Sequence, residues 1–393
     1  MTADPARVAR PRALLCATAT KWLGTARSPR AFARAGCDVH LFAPDDPLTG
    51  SSPHVARRYR LPQHADTSAW ALALADVVDL AEPDIVVPCD DGAFRLLTLL
   101  HGEPPRRLAS RRHAAIAALI ERSLGDPAGY LPSVDKLALP AQARAFGVPM
   151  PASIVATTLS QARAFADAHG WPIVLKRNES YAGTGVTIVH RAADLAAAWK
   201  TAAAPSLATR GGATPSPLLV QQAIAGSSWY AVVVAHEGRY FGGWAARKIV
   251  AHPSPKGPAT VTGHAYRADI DEHCAALVRG FGMSGIFGIE FLVDDATDRA
   301  SLIEINRRLT PGVHKDALVG LDVVGAWLAA LRGEPPAERL RLAPGEAGII
   351  VNFPQEWLRD PGSPWLSDHR VDVPWDEPAL FAAMIASRPR QGK

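Results

Sequence analysis

Short apolar runs and amphipathic stretches alternate along residues 1–125. The short runs, each closed by a polar or proline-containing turn, predict strands, and the amphipathic stretches predict helices. The predicted strands are 13–17, 38–43 and 84–88, and the predicted helices are 28–35 and 70–80. This alternation is typical of a parallel sheet covered by helices, in which ligands bind in the loops after the carboxyl ends of the strands.

Residues 126–205 combine helices with a predicted hairpin. The helices end at Gly147 and Gly170, and the two hairpin strands flank a glycine-rich loop. The predicted helices are 135–147 and 159–169, and the predicted strands are 173–176 and 186–190, joined by the loop 177–185. The stretch that follows is rich in alanine, proline and glycine and is typical of a flexible linker, which predicts a domain boundary at 205.

Strands dominate the pattern after this linker. They are predicted at 218–222, 230–236, 239–246, 286–293 and 301–305, with helices at 275–281 and 321–331. A last strand is predicted at 347–353, in a tail whose tryptophans could cap a site, pack on the core or form a homodimer interface, of which core packing is favoured. The predicted domains are 1–125, 126–205, 206–340 and 341–393.

Composition and charge narrow the class of protein. The chain has 393 residues, 48% hydrophobic and 20% charged, which is enough for two or three packed domains. Its four cysteines are far apart, which argues against a zinc ribbon or a disulfide scaffold. No apolar window is long enough to span a bilayer, and the basic segment 106–122 lacks interleaved aromatic residues. We therefore expect a cytoplasmic protein that binds neither a membrane nor a nucleic acid.

Two acidic residues interrupt strands that are otherwise apolar. Glu290 lies in GIEFLV, and Glu304 and Asn306 lie in LIEIN, where a spacing of two residues puts both side chains on one face. If the two strands are neighbours, two carboxylates and an amide oxygen converge, and these are the hard ligands that magnesium takes. The alternative is that the acids pair with arginines such as Arg307.

A lysine and a glycine-rich loop form a second candidate site. Lys176 ends an apolar strand, and the loop RNESYAGTGV after it contains Ser180, Gly183, Thr184 and Gly185. Glycines let the backbone bend over a ligand, and lysine with backbone N–H groups suits phosphate recognition. The stretch matches neither a Walker A loop nor GxGxxG, and an ordinary hairpin turn is the alternative.

Two weaker features complete the pattern. Lys136 stands at a predicted helix start, where a surface lysine is the simple interpretation. The strand LVQQAI at 219–224 could hold an adenine through backbone and glutamine amides, or could be a plain core strand.

Taken in order, these features resemble the ATP-grasp superfamily from about residue 13 to residue 331. The motifs that carry the resemblance are DIVVPCDD, DK…FGVPMP, VLKRNESYAGTGV, VQQAIAG and GIEFLVDD…LIEINRR. The resemblance implies an α/β and α+β fold, in which an N-terminal parallel-sheet pre-ATP-grasp domain precedes a two-subdomain ATP-grasp fold that holds the nucleotide between its subdomains.

The resemblance also implies ATP and Mg²⁺ as cofactors and assigns roles to residues. Lys136 and Lys176 would contact the phosphates under the loop Ser180–Gly185, and Gln221, Gln222 and Ile224 would border the adenine. Glu290, Glu304 and Asn306 would hold magnesium, and Arg308 would stabilise the reacting acyl phosphate. Two departures stand out: Ser228 occupies the place where the family often has a glutamate for the ribose, and Phe287–Ile289 lacks the arginine of D-alanine ligases.

The implied activity is an ATP-dependent ligase that activates a small carboxylate, such as an amino acid, and joins it to an amine with release of ADP. The alternatives are a nucleotide-binding regulatory protein without catalysis and an enzyme that uses bicarbonate. Arg247, Lys248 and Lys256 could bind the carboxylate substrate or face solvent. Asp90 and Asp91, after the strand at 84–88, could orient the amino group of a substrate.

Overall fold

The computed structural model of the protein describes residues 10–63, 66–178, 185–204, 216–254 and 257–387. Their strands form three sheets, each contributed by a different part of the chain. An α/β domain with a parallel sheet comes first, followed by two α+β subdomains with antiparallel or mixed sheets, as the sequence predicted.

The N-terminal domain has a four-stranded parallel sheet in the order β3-β2-β1-β4. The strands are β1 Arg12–Cys16, β2 Asp38–Ala43, β3 Arg57–Arg60 and β4 Ile85–Pro88. The helices are α1 Leu23–Arg27, α2 Pro29–Arg34, α3 Thr67–Ala81, α4 Asp91–Gly102 and α5 Ser110–Leu124. Strand β3 was not predicted because its RRYR sequence is polar, and such charged, exposed strands are suited to a sheet edge.

The carboxyl ends of β1 and β4 are joined by one buried acid. Asp90 accepts hydrogen bonds from the backbone N–H groups of Thr18 and Ala19 and from the Thr18 hydroxyl, and it also caps α4 through the N–H of Ala93. Gly92 is required beside it, because a Cβ there would lie 2.0 Å from Thr18 Oγ1. These contacts bring the loops after β1 and β4 together at the edge that faces the rest of the protein.

The second sheet has four strands in the order β5-β8-β6-β7. Its elements are α6 Leu139–Ala145, β5 Ser153–Ala156, α7 Leu159–His169, β6 Ile173–Arg177, β7 Val186–Val189, α8 Leu195–Ala202 and β8 Leu218–Gln222. The predicted hairpin is present as β6 and β7. Strand β8, predicted to open the third domain, pairs with β5 and β6 of this second sheet. The apolar face of β8 closes the core of this sheet.

The third sheet has seven strands in the order β13-β12-β9-β10-β11-β14-β15. Its strands are β9 Gly226–His236, β10 Arg239–Ala251, β11 Ala259–Ala265, β12 Gly285–Asp294, β13 Ala300–Asn306, β14 Glu346–Val351 and β15 Arg370–Val371, and its helices are α9 Ala268–Gly280 and α10 Val323–Leu331. One face packs on α9, and the other packs on α10 and the N-terminal sheet. Strand β11, with the sequence ATVTGHA, was missed because its pattern is too polar.

The C-terminal segment is part of this assembly. Strands β14 and β15 extend the large sheet, and the short helices α11 Gln355–Arg359, α12 Trp365–Asp368 and α13 Pro378–Ala386 follow. Phe353, Leu380 and Met384 share one buried cluster with Ala26 of α1. The tryptophan prediction was wrong for Trp375, which is 75% exposed. The segment therefore fastens the large sheet to the N-terminal domain.

Candidate active site

Two glutamates face each other on neighbouring strands. Glu290 of β12 is directly opposite Glu304 of β13, and Asn306 is opposite Gly288 on the same pair of strands. The Asn306 Nδ2 atom lies 3.5 Å from Glu290 Oε1. The three side chains that alternation placed on one face therefore converge, because β12 and β13 are adjacent.

Two lysines form ion pairs with these glutamates. The Lys248 ammonium is 3.2 Å from Glu290 Oε2, and the Lys136 ammonium is 3.9 Å from Glu304 Oε2. Lys248 reaches Glu290 across β9, whereas Arg247 is exposed on the opposite face of β10. Pairing with Arg307, the alternative interpretation, does not occur. Arg307 is buried and donates to the Leu124 carbonyl instead.

Burial shifts the pKa values of an acid and a lysine at this face. Burial and the neighbouring Glu290 raise the pKa of Glu304, against the opposing effect of Lys136 and Lys176. Burial lowers the pKa of Lys176 to about 8 although both glutamates act in the other direction. The face therefore combines partly desolvated acids and bases, a combination that is common at functional sites.

The second sheet presents a complementary face. Lys176 is opposite Leu219, and Gln221 is opposite Val174, so Lys176 and Gln221 point to the same side, away from the core of that sheet. Gln221 is 2% exposed, and its Nε2 atom has no hydrogen-bond partner among the described residues. A buried amide donor without an acceptor is costly unless a ligand supplies one.

The other predicted nucleotide-binding residues are distributed around this face. Gln222 alternates to the other side of β8, and Ile224 is half-buried in the turn before β9. Ser228 is opposite Leu292, on the face of β9 that also carries Tyr230. Gly185 is buried, and its carbonyl accepts from the N–H of Arg177. Ser180, Gly183, Thr184 and Lys256 lie outside the described residues.

The N-terminal domain completes the site from the other side. Arg308 Nε is 3.4 Å from Asp91 Oδ2, and Arg308 Nη2 is 3.3 Å from Asn306 Oδ1. Its guanidinium also lies 5.7 Å from the ring centre of Trp22. A cavity between the domains is lined by Asp91, Phe94, Arg95, Ser133, Val134, Lys136, Leu139, Asn178, Glu304, Ile305 and Asn306.

Two details correct or extend the sequence interpretation. The Asp90 carboxylate accepts hydrogen bonds from backbone N–H groups and a hydroxyl, which gives it a structural role in place of the substrate-orienting role considered from the sequence. Asp91, by contrast, forms an ion pair with Arg308. Trp22 was not predicted, and its buried indole N–H has no acceptor among the described residues. A tryptophan in a loop carries no motif, so only the fold could reveal it.

One family model matches part of the chain. A model described as the ATP-grasp domain matches residues 141–322. The chain contains an ATP-grasp domain. The glutamate pair, Arg308 and most of both α+β sheets lie inside the matched range. A comparison with curated proteins finds no match.

Several solved structures resemble most of the chain. The biotin carboxylase domain of Hydrogenobacter thermophilus 2-oxoglutarate carboxylase, with MgADP and bicarbonate, is 16% identical with a TM-score of 0.62, and the match covers 85% of this chain and 73% of that one. Staphylococcus aureus N5-carboxyaminoimidazole synthetase with ADP is 14% identical with a TM-score of 0.60, and the match covers 88% of this chain and 86% of that one. Bacillus licheniformis L-amino acid ligase is 17% identical with a TM-score of 0.55, and the match covers 83% of this chain and 75% of that one. At these identities the likeness shows the shared fold.

Two features are absent from the part of the chain that the structure describes. No helix there is both long and apolar enough to cross a membrane. No group of three or more His, Cys, Asp or Glu side chains there is placed to hold a metal ion.

Proposed function

We propose that this chain is an ATP-dependent ligase that activates a small carboxylate, an amino acid or a related acid, as an acyl phosphate and joins it to an amine. ADP and phosphate are the other products. The observation that supports this most is the Glu290–Glu304 pair, which lies beside Asn306 and among Lys136, Lys176 and Lys248. Such a mixture of paired acids and desolvated lysines suits the binding of a metal–polyphosphate complex.

The residues fit a magnesium ion. Two carboxylates and one amide provide hard oxygen ligands and leave coordination positions for phosphate oxygens. Burial, and then the neighbouring Glu290, raise the pKa of Glu304, so a bound cation would favour its charged form. Glu290, Glu304 and Asn306 would hold the ion, which when bound neutralises charge on the phosphates.

The nucleotide would lie between the two α+β sheets. Lys136 and Lys176 would contact its phosphates, with Ser180, Gly183, Thr184 and Gly185 as the covering loop. Gln221, Gln222, Ile224 and Ser228 would border the adenosine. The unpartnered Nε2 atom of Gln221 supports this placement, because an adenine ring nitrogen is an acceptor of the kind it lacks.

The reaction would then follow from the positions of Arg308 and Asp91. An oxygen of the substrate carboxylate attacks the γ-phosphorus, the bond to the β,γ-bridging oxygen breaks, and ADP leaves. Arg308 holds the carboxylate and the acyl phosphate formed from it, since its guanidinium lies beside Asn306 at the cavity between the domains. Asp91, 3.4 Å from Arg308, is placed to orient an incoming amine, which displaces phosphate.

A carboxylase is a second candidate. One of the structures described above, a biotin carboxylase domain, contains MgADP together with bicarbonate. In this version, bicarbonate takes the place of the organic acid, and carboxyphosphate takes the place of the acyl phosphate.

A screen of ADP release distinguishes these functions. Full-length protein with MgATP is incubated with pooled amino acids and amines, with and without added bicarbonate in degassed buffer. The ligase predicts ADP formation that requires both an acid and an amine and that continues without bicarbonate. ADP formation that requires bicarbonate supports the carboxylase. Release of AMP, or ATP binding without turnover on any pool, contradicts both.

A further inference from the structure

Lys315 is a buried lysine that has no partner of its own. It lies in a 3₁₀ helix, Val313–Leu318, shortly after Arg308, and only 4% of it is exposed. Within the described ranges, no hydrogen bond or ion pair involves its ammonium group. A lysine this buried is normally paired, because removing an ammonium from water costs several kcal/mol.

The nearest carboxylate is already used by other groups. Asp372 forms a 3.1 Å ion pair with Arg27 and a 2.9 Å contact with His314, and it accepts from the N–H of Phe353 at 2.6 Å. Arg27 and His314 together hold the pKa of Asp372 well below its usual range, in spite of burial.

This cluster keeps a surplus positive charge. Arg27 and Lys315 carry two positive charges against one negative charge on Asp372, because burial lowers the pKa of His314 to about 4 and leaves it neutral. Burial also lowers the pKa of Lys315 to about 8, although Asp372 acts in the other direction. An anion beside Lys315 would balance the cluster.

The surplus charge lies on the same face as the glutamate pair. Asp316, next to Lys315 in the chain, accepts a 2.6 Å hydrogen bond from the indole N–H of Trp244, and the Trp244 ring lies 4.9 Å from the ring of His264. His264 belongs to a row of directly opposed residues that runs from Glu290 through Tyr230 and Ala246. Three strand spacings separate Glu290 from His264, or about 14 Å along the sheet.

We propose that Lys315 binds an anionic group, a carboxylate or a phosphate, that one of the two substrates carries in addition to its reacting group. This substrate would extend from the glutamate pair toward His264, which is about 14 Å away along the sheet. The direction in which the substrate extends is inferred from the proposed ligase function. The group could belong to the acid, as a second acidic function, or to the amine, as the carboxylate of an amino acid.

Lys315 would then determine specificity. A substrate without the second anionic group would leave a buried ammonium unpaired in the complex. Sites of this kind reject the uncharged analogue more strongly than a hydrophobic pocket rejects a missing methylene.

Binding of a simple anion tests the site without knowledge of the substrates. Succinate is titrated by calorimetry into the full-length protein saturated with MgADP, using wild type, Lys315→Met, Lys315→Arg and the control Lys200→Met, which removes an exposed lysine of α8. We expect Lys315→Met to weaken binding about 10- to 100-fold, with Lys315→Arg and Lys200→Met close to wild type. Equal affinity for wild type and Lys315→Met overturns the proposal.

A crystal structure of the wild-type protein with succinate covers the case in which Lys315→Met does not fold. The proposal requires a carboxylate within hydrogen-bonding distance of the Lys315 ammonium. Succinate bound elsewhere, or no bound succinate, overturns it.

ADP-release assays show whether the acid or the amine carries the anionic group. Acids are compared with their monoamides, and amino acid acceptors with their decarboxylated amines, by ADP release. Lys315→Met should lower kcat/KM at least tenfold for whichever series carries the anion and leave its neutral analogues unchanged. If no substrate supports ADP release but succinate binding still depends on Lys315, the ligase function fails and the anion site remains. If turnover occurs without any dependence on Lys315, the anion site fails alone.

Discussion

Glu290 and Glu304 lie directly opposite each other on β12 and β13, with a register shift immediately after the pair. Like charges at directly opposed positions of an antiparallel sheet destabilise it, and burial increases this cost. The arrangement is unfavourable for the sheet by itself, and Lys136 and Lys248 offset it from other strands and loops. We infer that the pair is retained for a ligand with positive charge.

Glu304→Gln should separate stability from function. The substitution removes a buried charge and its repulsion with Glu290, the two causes that raise the pKa of Glu304, so the melting temperature of the nucleotide-free protein should stay equal or rise slightly. ADP release should fall by a factor of about 100 or more, because a metal ligand is lost. Differential scanning calorimetry and the ADP assay check the two parts. A variant that melts much earlier would mean that the glutamate is structural.

Lys176 should make ATP use sensitive to pH. Its pKa of about 8 means that it is charged below that pH and loses its charge as the pH rises through it. If the charge binds phosphate, kcat/KM for ATP should fall by up to tenfold per pH unit above about pH 8. In Lys176→Arg, which keeps its charge, this fall should disappear. An identical profile for wild type and Lys176→Arg would rule out Lys176 as the source.

The neighbouring arginines 307 and 308 should respond in opposite ways. Arg307 is fully buried, donates to the Leu124 carbonyl at 2.6 Å and to Ser133 Oγ at 3.2 Å, and stacks on Phe94. Arg307→Ala would leave that carbonyl unsatisfied and open a cavity, at a cost of about 3 kcal/mol or more.

Arg308→Ala provides the matched comparison, because it removes a half-buried side chain at the cavity between the domains. It should abolish turnover with a change of less than about 1 kcal/mol in stability. Urea unfolding and ADP release measure both variants. Loss of stability in Arg308→Ala, or its absence in Arg307→Ala, would contradict this assignment.

Asp372→Asn should loosen the C-terminal segment. Replacing the shared partner of Arg27 and His314 leaves buried Arg27 without its counter-ion, at a cost of about 3 to 5 kcal/mol near neutral pH. The folded pKa of Asp372 is below its unfolded value, so its stabilising effect is present above the unfolded pKa and is lost as the pH falls through the folded value. The difference in unfolding midpoint between wild type and variant should therefore shrink in acid. A constant difference would indicate a purely steric effect.

Much of the fold could be read from local patterns. Strands such as Asp38–Ala43 and Leu218–Gln222 and the helix Leu159–His169 match their predicted bounds, because apolar runs and glycine stops define them locally. The sheet to which β8 belongs could not be read, since pairing with β5 and β6 joins segments separated by the linker. A strand pattern gives the face of each residue but not its neighbours.

The same limit applies to the site. Alternation placed Glu304 and Asn306 on one face, the glycine-rich loop pointed to Lys176, and the family resemblance implied a phosphate-binding role for Lys136. The meeting of Arg308 with Asp91 and Trp22 depends on the docking of the N-terminal domain, which no local pattern encodes. Lys315 looks like an ordinary surface lysine in the sequence, and only its burial reveals its unbalanced charge.

Manganese binding is the most direct test of the central claim, that the glutamate pair holds a divalent ion together with a nucleotide. Electron paramagnetic resonance reports free Mn²⁺ in solutions of the full-length protein with ADP, for wild type, Glu290→Gln, Glu304→Gln and the surface control Glu334→Gln. We predict one tightly bound Mn²⁺ that requires ADP in wild type and Glu334→Gln, weakened at least tenfold in both site variants. Equal Mn²⁺ binding in all four proteins would contradict the account.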